Sequence, residues 1–367
     1  MTDDDGNDLA DRYRAAVRAS TRSIFWRRGT PAGSLADLAR ACTDLGIDEW
    51  DRYGATGAVE MLEREVAELL GKPAAVFVPS GIMAQQAVLR AWCDRRGSLR
   101  VALPQLSHLV HHEADGPRLV HGLRLEHLTE GRVLPTAADL ERLPPRLGAA
   151  MVELPLRDAG CLLPSWEDLV ALSAAARDRG VPFHADGARL WESQPFYDRP
   201  LAELAGLFDS VYVSFYKGLG AMAGACVAAD TGVVDEVRLW RTRMGGTLFG
   251  MTPYAVGALV GLRSELPRMG EYLATARSLA AAFAERGLRV HPEVPHTCTF
   301  EVYADGRADE VNERLVEFVA RTGLQLSGLW RQTDDPGTVV TELACYSDAA
   351  TFAPAEVAGW FTDVVHG

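Results

Sequence analysis

Through the first two thirds of the chain, short apolar runs alternate with longer segments of helical spacing. This alternation constrains the fold more than any other feature. Ala74-Ala-Val-Phe-Val78 reads as a buried strand, preceded by a helix over residues 59–70 and followed by one from Gly81 to about Trp92. Arg100-Val-Ala-Leu103, Ala149-Ala-Met-Val-Glu153, Val181-Pro-Phe-His184 and Ser210-Val-Tyr-Val-Ser214 read as further strands, with a helix over 167–179 between two of them. Strands joined by helices point to an α/β domain with a mainly parallel sheet, because parallel neighbours need a crossover connection. After Met244 the order changes. A long helical region over 253–286 leads to Leu288-Arg-Val-His291 and Thr299-Phe-Glu-Val-Tyr303, then a helix over 309–322, then Thr338-Val-Val-Thr-Glu-Leu343 and a last helix to about Val365. That is the plan of a smaller α+β domain. The expected division is an N-terminal segment over 1–50, a large domain over 51–255 and a small C-terminal domain over 256–367.

The chain has 367 residues, 48% hydrophobic and 24% charged, which suits a globular protein too long for one core. The net charge of −13 opposes a phosphate-backbone partner, so no nucleic acid is expected. The start, Met1-Thr-Asp-Asp-Asp, lacks the basic and apolar regions of a signal peptide, and no apolar run reaches the length of about 18 residues that a membrane span needs. The six cysteines are scattered without a C-x-x-C pair. Reduced core thiols and a cytoplasmic location are the expectation, with no membrane partner.

The chemistry concentrates in four places. In Ser214-Phe-Tyr-Lys217-Gly-Leu-Gly220 a lone lysine leaves an apolar strand and enters a glycine-rich turn. A desolvated lysine there has a lowered pKa and can attack an aldehyde. Upstream lies His184-Ala-Asp186-Gly-Ala-Arg189. Asp186 ends one strand and Lys217 follows the next, so a parallel sheet opens both into one crevice. A carboxylate there can pair with a protonated pyridine nitrogen, and Arg189 can present its fork to a substrate carboxylate. Ser80-Gly81-Ile82 links a buried strand to a helix, whose N-terminal amides suit a phosphate. Ser107-His108-Leu-Val-His-His112-Glu113 holds three histidines and a glutamate, but no third ligand follows at metalloprotease spacing, so no metal is expected. An imidazole that stacks on a cofactor ring or shuttles protons fits better.

These motifs, in this order, resemble the threonine aldolase / β-eliminating lyase family of fold-type I enzymes that depend on pyridoxal 5'-phosphate (PLP). The resemblance covers about residues 50–260. It implies the aspartate aminotransferase-like fold, PLP as cofactor, Lys217 as its anchor, Asp186 facing the pyridine nitrogen and Arg189 on the substrate carboxylate. It implies His108 over the ring and active in proton transfer, with Ser80, Gly81 and Ile82 at the phosphate. Ser23, in Arg22-Ser-Ile-Phe-Trp-Arg-Arg-Gly-Thr-Pro31, and Tyr53, in Asp-Arg-Tyr-Gly, match substrate-side positions, the tyrosine approaching a neighbouring subunit's site. A homodimer or homotetramer with shared active sites follows. Several positions depart from the pattern: Ile24 replaces the acid after the serine, Tyr216 the serine before the lysine, and Ile82 a threonine. Glu153-Leu-Pro-Leu-Arg157-Asp158 stands in place of E-N-T-H, and Thr338-Val-Val-Thr-Glu-Leu carries no second carboxylate-binding arginine, which leaves Arg331 as a nearby substitute.

The implied reaction is retro-aldol cleavage of a β-hydroxy-α-amino acid to glycine and an aldehyde, with His108 as base. β-Elimination, transaldol transfer and racemisation are alternatives on the same cofactor, and a PLP-binding protein without activity is another. A nicotinamide enzyme is disfavoured, since no G-x-G-x-x-G follows the first strand.

Overall fold

The computed structural model describes residues 4–25 and 29–367; Met1, Thr2 and Asp3 of the acidic start, and Trp26, Arg27 and Arg28, lie outside the described residues. Two compact units emerge: residues 29–268, and residues 1–28 together with 269–367.

The larger unit is built on a seven-stranded sheet. Its strands are β1 (Ala74–Val78), β2 (Arg100–Leu103), β3 (Arg124–His127), β4 (Ala149–Glu153), β5 (Phe183–Gly187), β6 (Ser210–Ser214) and β7 (Ala225–Ala229). The spatial order is β1-β7-β6-β5-β4-β2-β3, parallel except for β7, which runs against both its neighbours. Strands β4 to β7 are buried along their whole length, as expected of a sheet covered on both faces. Two of these strands escape the sequence reading. β3 is a half-exposed edge, Arg-Leu-Glu-His, and β7 is mostly alanine, so neither shows a β-branched apolar run.

The helix Gly81–Arg96 follows β1 directly. Ser80 caps it in extended geometry, its hydroxyl accepting the Met83 N–H at 3.2 Å, and Gly97 closes it in the left-handed region. β5 begins two residues later than expected because Pro182 has no N–H to give the ladder; its carbonyl accepts from Ala150 at 2.8 Å. The strand therefore runs through Asp186, whose carbonyl accepts the Leu154 N–H at 2.8 Å. The aspartate is held by the sheet itself.

The helix expected over 253–286 is two helices, Thr252–Ser264 and Met269–Glu285, separated by a 3₁₀ turn at Leu266–Arg268. Pro267, lacking an N–H, sits in that turn. This break is where the units divide, whereas the expected boundary after residue 255 falls inside a helix. Residues 29–50 group with the large unit, and the described residues 4–25 of the expected N-terminal segment with the small one.

The smaller unit is an antiparallel four-stranded sheet in the order Arg331–Gln332, Thr338–Ala344, Thr299–Asp305, Arg289–His291. Its core joins Phe283 and Phe300 to Leu315, Phe318 and Phe361. The N-terminal helix Asp4–Ala19 belongs here: Arg12 grips Glu313 through two bonds of 2.9 and 2.7 Å, and Arg22–Ser23 pairs in parallel with Leu324–Gln325. No described helix is long and apolar enough to cross a membrane.

Gly224 enters β7 at φ +104°, and a Cβ there would meet the Phe77 ring at 2.4 Å. Its carbonyl accepts the Phe215 N–H at 3.2 Å, which ties down the loop carrying Lys217. Gly224→Ala should lower stability by roughly 2–4 kcal/mol, from left-handed strain plus overpacking. Urea unfolding should show a lower midpoint at unchanged slope; an unshifted midpoint would show that the loop tolerates the methyl group.

Candidate active site

Because all strands but β7 point one way, the C-terminal ends of β4, β5 and β6 open on one side of the sheet. Glu153 ends β4, Asp186 is the penultimate residue of β5 and Lys217 lies three residues beyond β6. Register sharpens this. Glu153 is paired directly with Asp186, and Asp186 with Tyr212. One pocket gathers Gly81, Ile82, His108, Asp186 and Lys217, together with Gln85, Glu113, Glu153, Tyr212 and Tyr216. Five sequence-predicted residues thus meet in a single space within one unit.

Asp186 is 2% exposed and accepts the Ala188 N–H at 3.1 Å. Burial raises its pKa, and the Lys217 charge opposes that rise more than any other group. Burial is likewise the main cause of a lowered pKa at Lys217, and the Arg189 guanidinium pushes the same way, against the pull of Asp186, Glu153 and Glu192. The amine is therefore deprotonated more readily than an ordinary lysine. Arg189 sits just beyond β5, at the cap of the helix Leu190–Tyr197, which brings its charge to bear on Lys217 and on Glu192. The buried Glu192 accepts the Gly218 N–H at 3.0 Å, bracing the residue after the lysine from the arginine's own helix.

His108 opens a short helix, His108–His111, after β2. Its backbone N–H donates to Glu153 at 2.8 Å, and the other oxygen of Glu153 accepts from Arg157 N–H at 3.2 Å. Its Nδ1 lies 3.4 Å from Glu113 Oε1, while Glu113 Oε2 accepts from Gln86 at 2.8 Å. The Glu113 bond is the chief cause of a raised His108 pKa, and the nearby Asp186 adds to it. Burial pushes Glu153 up to about 7, and the neighbouring Asp186 charge adds to the rise while the His108 and Arg157 backbone bonds oppose it. The other histidines go elsewhere: His111 to the Gln105 carbonyl at 2.9 Å, His112 to Asp158 at 2.7 Å.

At the start of the helix Gly81–Arg96, a Cβ on Gly81 would lie 2.0 Å from Tyr212 Oη and 2.8 Å from Tyr216 Oη. Only glycine admits both phenols against this helix end. Ser80 accepts the Met83 N–H but keeps its own hydrogen to donate. Ile82 is exposed and offers its backbone alone. A second donor also waits in the pocket. The Gln85 amide nitrogen is buried and has no partner at ordinary hydrogen-bond distance.

Ser80, Arg189, Ser23, Tyr53 and Arg331 are expected site residues that are not among the lining of this pocket. Ser23 belongs to the smaller unit, where its hydroxyl donates to Gln325 at 3.1 Å and accepts the Phe25 N–H at 3.0 Å. Tyr53 is in the larger unit but 56% exposed, at φ +56°, its ring edge-on to Phe249 at 5.4 Å. Arg331 is exposed on a strand of the smaller unit. Sequence reasoning missed Gln85, Glu192 and Tyr212. Gln85 follows Gly81 by four residues and Glu192 follows Arg189 by three, helical offsets that would have placed them on the same faces.

The model of the family described as beta-eliminating lyase matches residues 30–306. A solved structure described as a putative L-allo-threonine aldolase from Listeria monocytogenes superposes with a TM-score of 0.90 at 33% identity, covering 97% of this chain and 99% of that one. The aldolase vrtJ of Penicillium aethiopicum is 32% identical over 80% of this chain and 73% of its own. Low-specificity L-threonine aldolase 1 of Arabidopsis thaliana is 27% identical over 74% and 78%. The fold is the fold-type I architecture expected from the sequence. With its lysine, aspartate and histidine pocket lying inside the matched region, the chain belongs to the threonine aldolase / beta-eliminating lyase family.

Proposed function

We propose that this protein is a PLP-dependent lyase that cleaves a β-hydroxy-α-amino acid by retro-aldol reaction into glycine and an aldehyde. The observation that carries the reading is the convergence of Lys217, Asp186 and His108, from three separate segments, on one pocket at the C-terminal edge of the sheet.

The residues fit the cofactor. Gly81 and Ile82 amides and the Ser80 hydroxyl would take its phosphate at a helix N-terminus, and the buried Asp186 would face its ring nitrogen. Lys217, desolvated and beside Arg189, supplies the amine that anchors it. When bound, PLP supplies an electron sink for the charge left at Cα. The chain's own groups do the rest. Arg189 takes the substrate carboxylate and so fixes which Cα bond is aligned for cleavage. His108, held by Glu113, takes the β-hydroxyl proton as Cα–Cβ opens. The apolar Leu154-Pro155-Leu156 beside Glu153 supports a substrate side unlike that of a polar E-N-T-H segment.

The same reading assigns a homodimer or homotetramer in the cytoplasm. Tyr53, with Trp50 and Phe249, presents exposed aromatic surface, which supports its service to a neighbouring subunit. The free thiols accord with a reducing compartment.

Reconstituted with PLP, the wild type should show the visible band of lysine-bound cofactor, and Lys217→Ala should lack it. A colourless wild type would overturn the cofactor assignment. Offered a set of β-hydroxy amino acids, the enzyme should release glycine and aldehyde in equal amounts; ammonia with a keto acid would mean elimination, and an inverted amino acid would mean racemisation.

His108 must be neutral to accept a proton, so activity should rise with pH through its titration. Glu113 raises that titration, and removing its charge lowers it. In Glu113→Gln the acid limb of the kcat/KM profile should therefore move to lower pH. An unmoved limb would remove His108 from the role of base.

A further inference from the structure

Behind Asp186 lies a line of buried polar groups with no part in the reaction as described. His184 and Asp186 are two apart on β5, so their side chains share one face of the sheet. The helix Gly81–Arg96 covers that face. The indole N–H of Trp92 donates to Ser210 Oγ at 2.8 Å; Ser210 Oγ lies 2.8 Å from His184 Nδ1; and His184 Nε2 lies 2.7 Å from Gln85 Oε1. Ser210 and His184 are fully buried, Gln85 nearly so. The remaining Gln85 atom, the amide nitrogen, has no partner at ordinary distance, and Gln85 lines the same pocket as Asp186, whose charged form its side chain favours.

The last member sets the direction of the whole line. A carboxylate only accepts, so Gln85 turns its N–H groups toward Asp186 and leaves its carbonyl oxygen to His184 Nε2, which then carries the proton and donates to it. His184 Nδ1 is left as an acceptor, and Ser210, which takes the indole N–H on one lone pair, gives it the hydroxyl hydrogen. The opposite tautomer would let Nδ1 donate to the Ser210 carbonyl, 3.1 Å away. It would also force the Gln85 amide to flip and aim its oxygen at a carboxylate. Full burial keeps His184 neutral, pushing its pKa down to about 3, so no charged form resolves the choice.

We propose that Gln85 and His184 are positioning residues that hold Asp186 ionised and fixed in orientation, in a line whose polarity is set by the Gln85 amide that faces this carboxylate. The proposal rests on the reading that Asp186 faces the ring nitrogen of PLP, but its first test does not. In ¹⁵N-labelled apoprotein, the His184 imidazole should show the Nε2–H tautomer, unprotonated at Nδ1, across neutral pH. The Nδ1–H tautomer would overturn the proposal whether or not PLP binds.

The second test uses the holoenzyme. Gln85→Leu keeps bulk but removes the donor to a buried charge. It should weaken PLP binding and lower kcat by about 10- to 100-fold, with a lower Tm because the buried His184 Nε2–H loses its acceptor, and Gln85→Asn should recover part of the binding and of kcat. Infrared difference spectra of the apoproteins should show one more protonated carboxyl in Gln85→Leu than in the wild type. Unchanged PLP affinity and an unchanged carboxyl band in Gln85→Leu would overturn the proposal. Should the variant fail to fold, the tautomer of the wild type still decides.

Discussion

A buried carboxylate and a half-buried amine set at the ends of two adjacent strands, each within reach of the other's charge, are the constraint on which this structure turns. Asp186 and Lys217 are each costly to place away from water, and each makes the other's charge less costly. Such a pair holds only on a rigid frame. Here the frame is a sheet buried on both faces, with Asp186 inside a hydrogen-bonded ladder and Lys217 one short turn past the next strand.

Around that pair the pocket is crowded with acids. Asp186, Glu153 and Glu113 line it, Glu192 stands behind Lys217, and the basic groups among them are Lys217, Arg189 and His108. Backbone amides relieve much of this crowding. Glu153 accepts from two of them, Glu192 from Gly218 and Asp186 from Ala188. Each such bond also fixes a piece of chain that carries chemistry. Glu153 holds the backbone of His108 while lying beside Asp186, so one side chain links the two. The arrangement trades stability for charges held in place, as sites of this kind commonly do.

Much of this is legible in the chain. Strands β1, β2, β4 and β6 stand where apolar runs of four or five residues predict them, because full burial leaves an unmistakable composition. The lysine, histidine and Ser80-Gly81-Ile82 turn are legible because each follows such a strand, and the aspartate because it lies near the end of another. What escapes is what composition does not mark. β3 is an edge strand with polar residues, and β7 is alanine-rich. The split at Leu266–Arg268 hides inside a helical pattern, where one proline decides between a kink and a boundary. Ser23 and Tyr53 were assigned by resemblance alone, and their local bonds, to Gln325 and Phe249, follow from neighbours far away in the chain.

By itself, then, the sequence determined the kind of sheet, the order of its motifs and which side chains are chemically able to act, because periodicity and local turn chemistry are properties of short segments. Only the tertiary structure decided which of them share a pocket and who stands behind them. Glu153 paired with Asp186, and Gln85 set against His184, arise from strand register and from one helix laid across two strands. Those are relations between distant segments, and no local pattern encodes them.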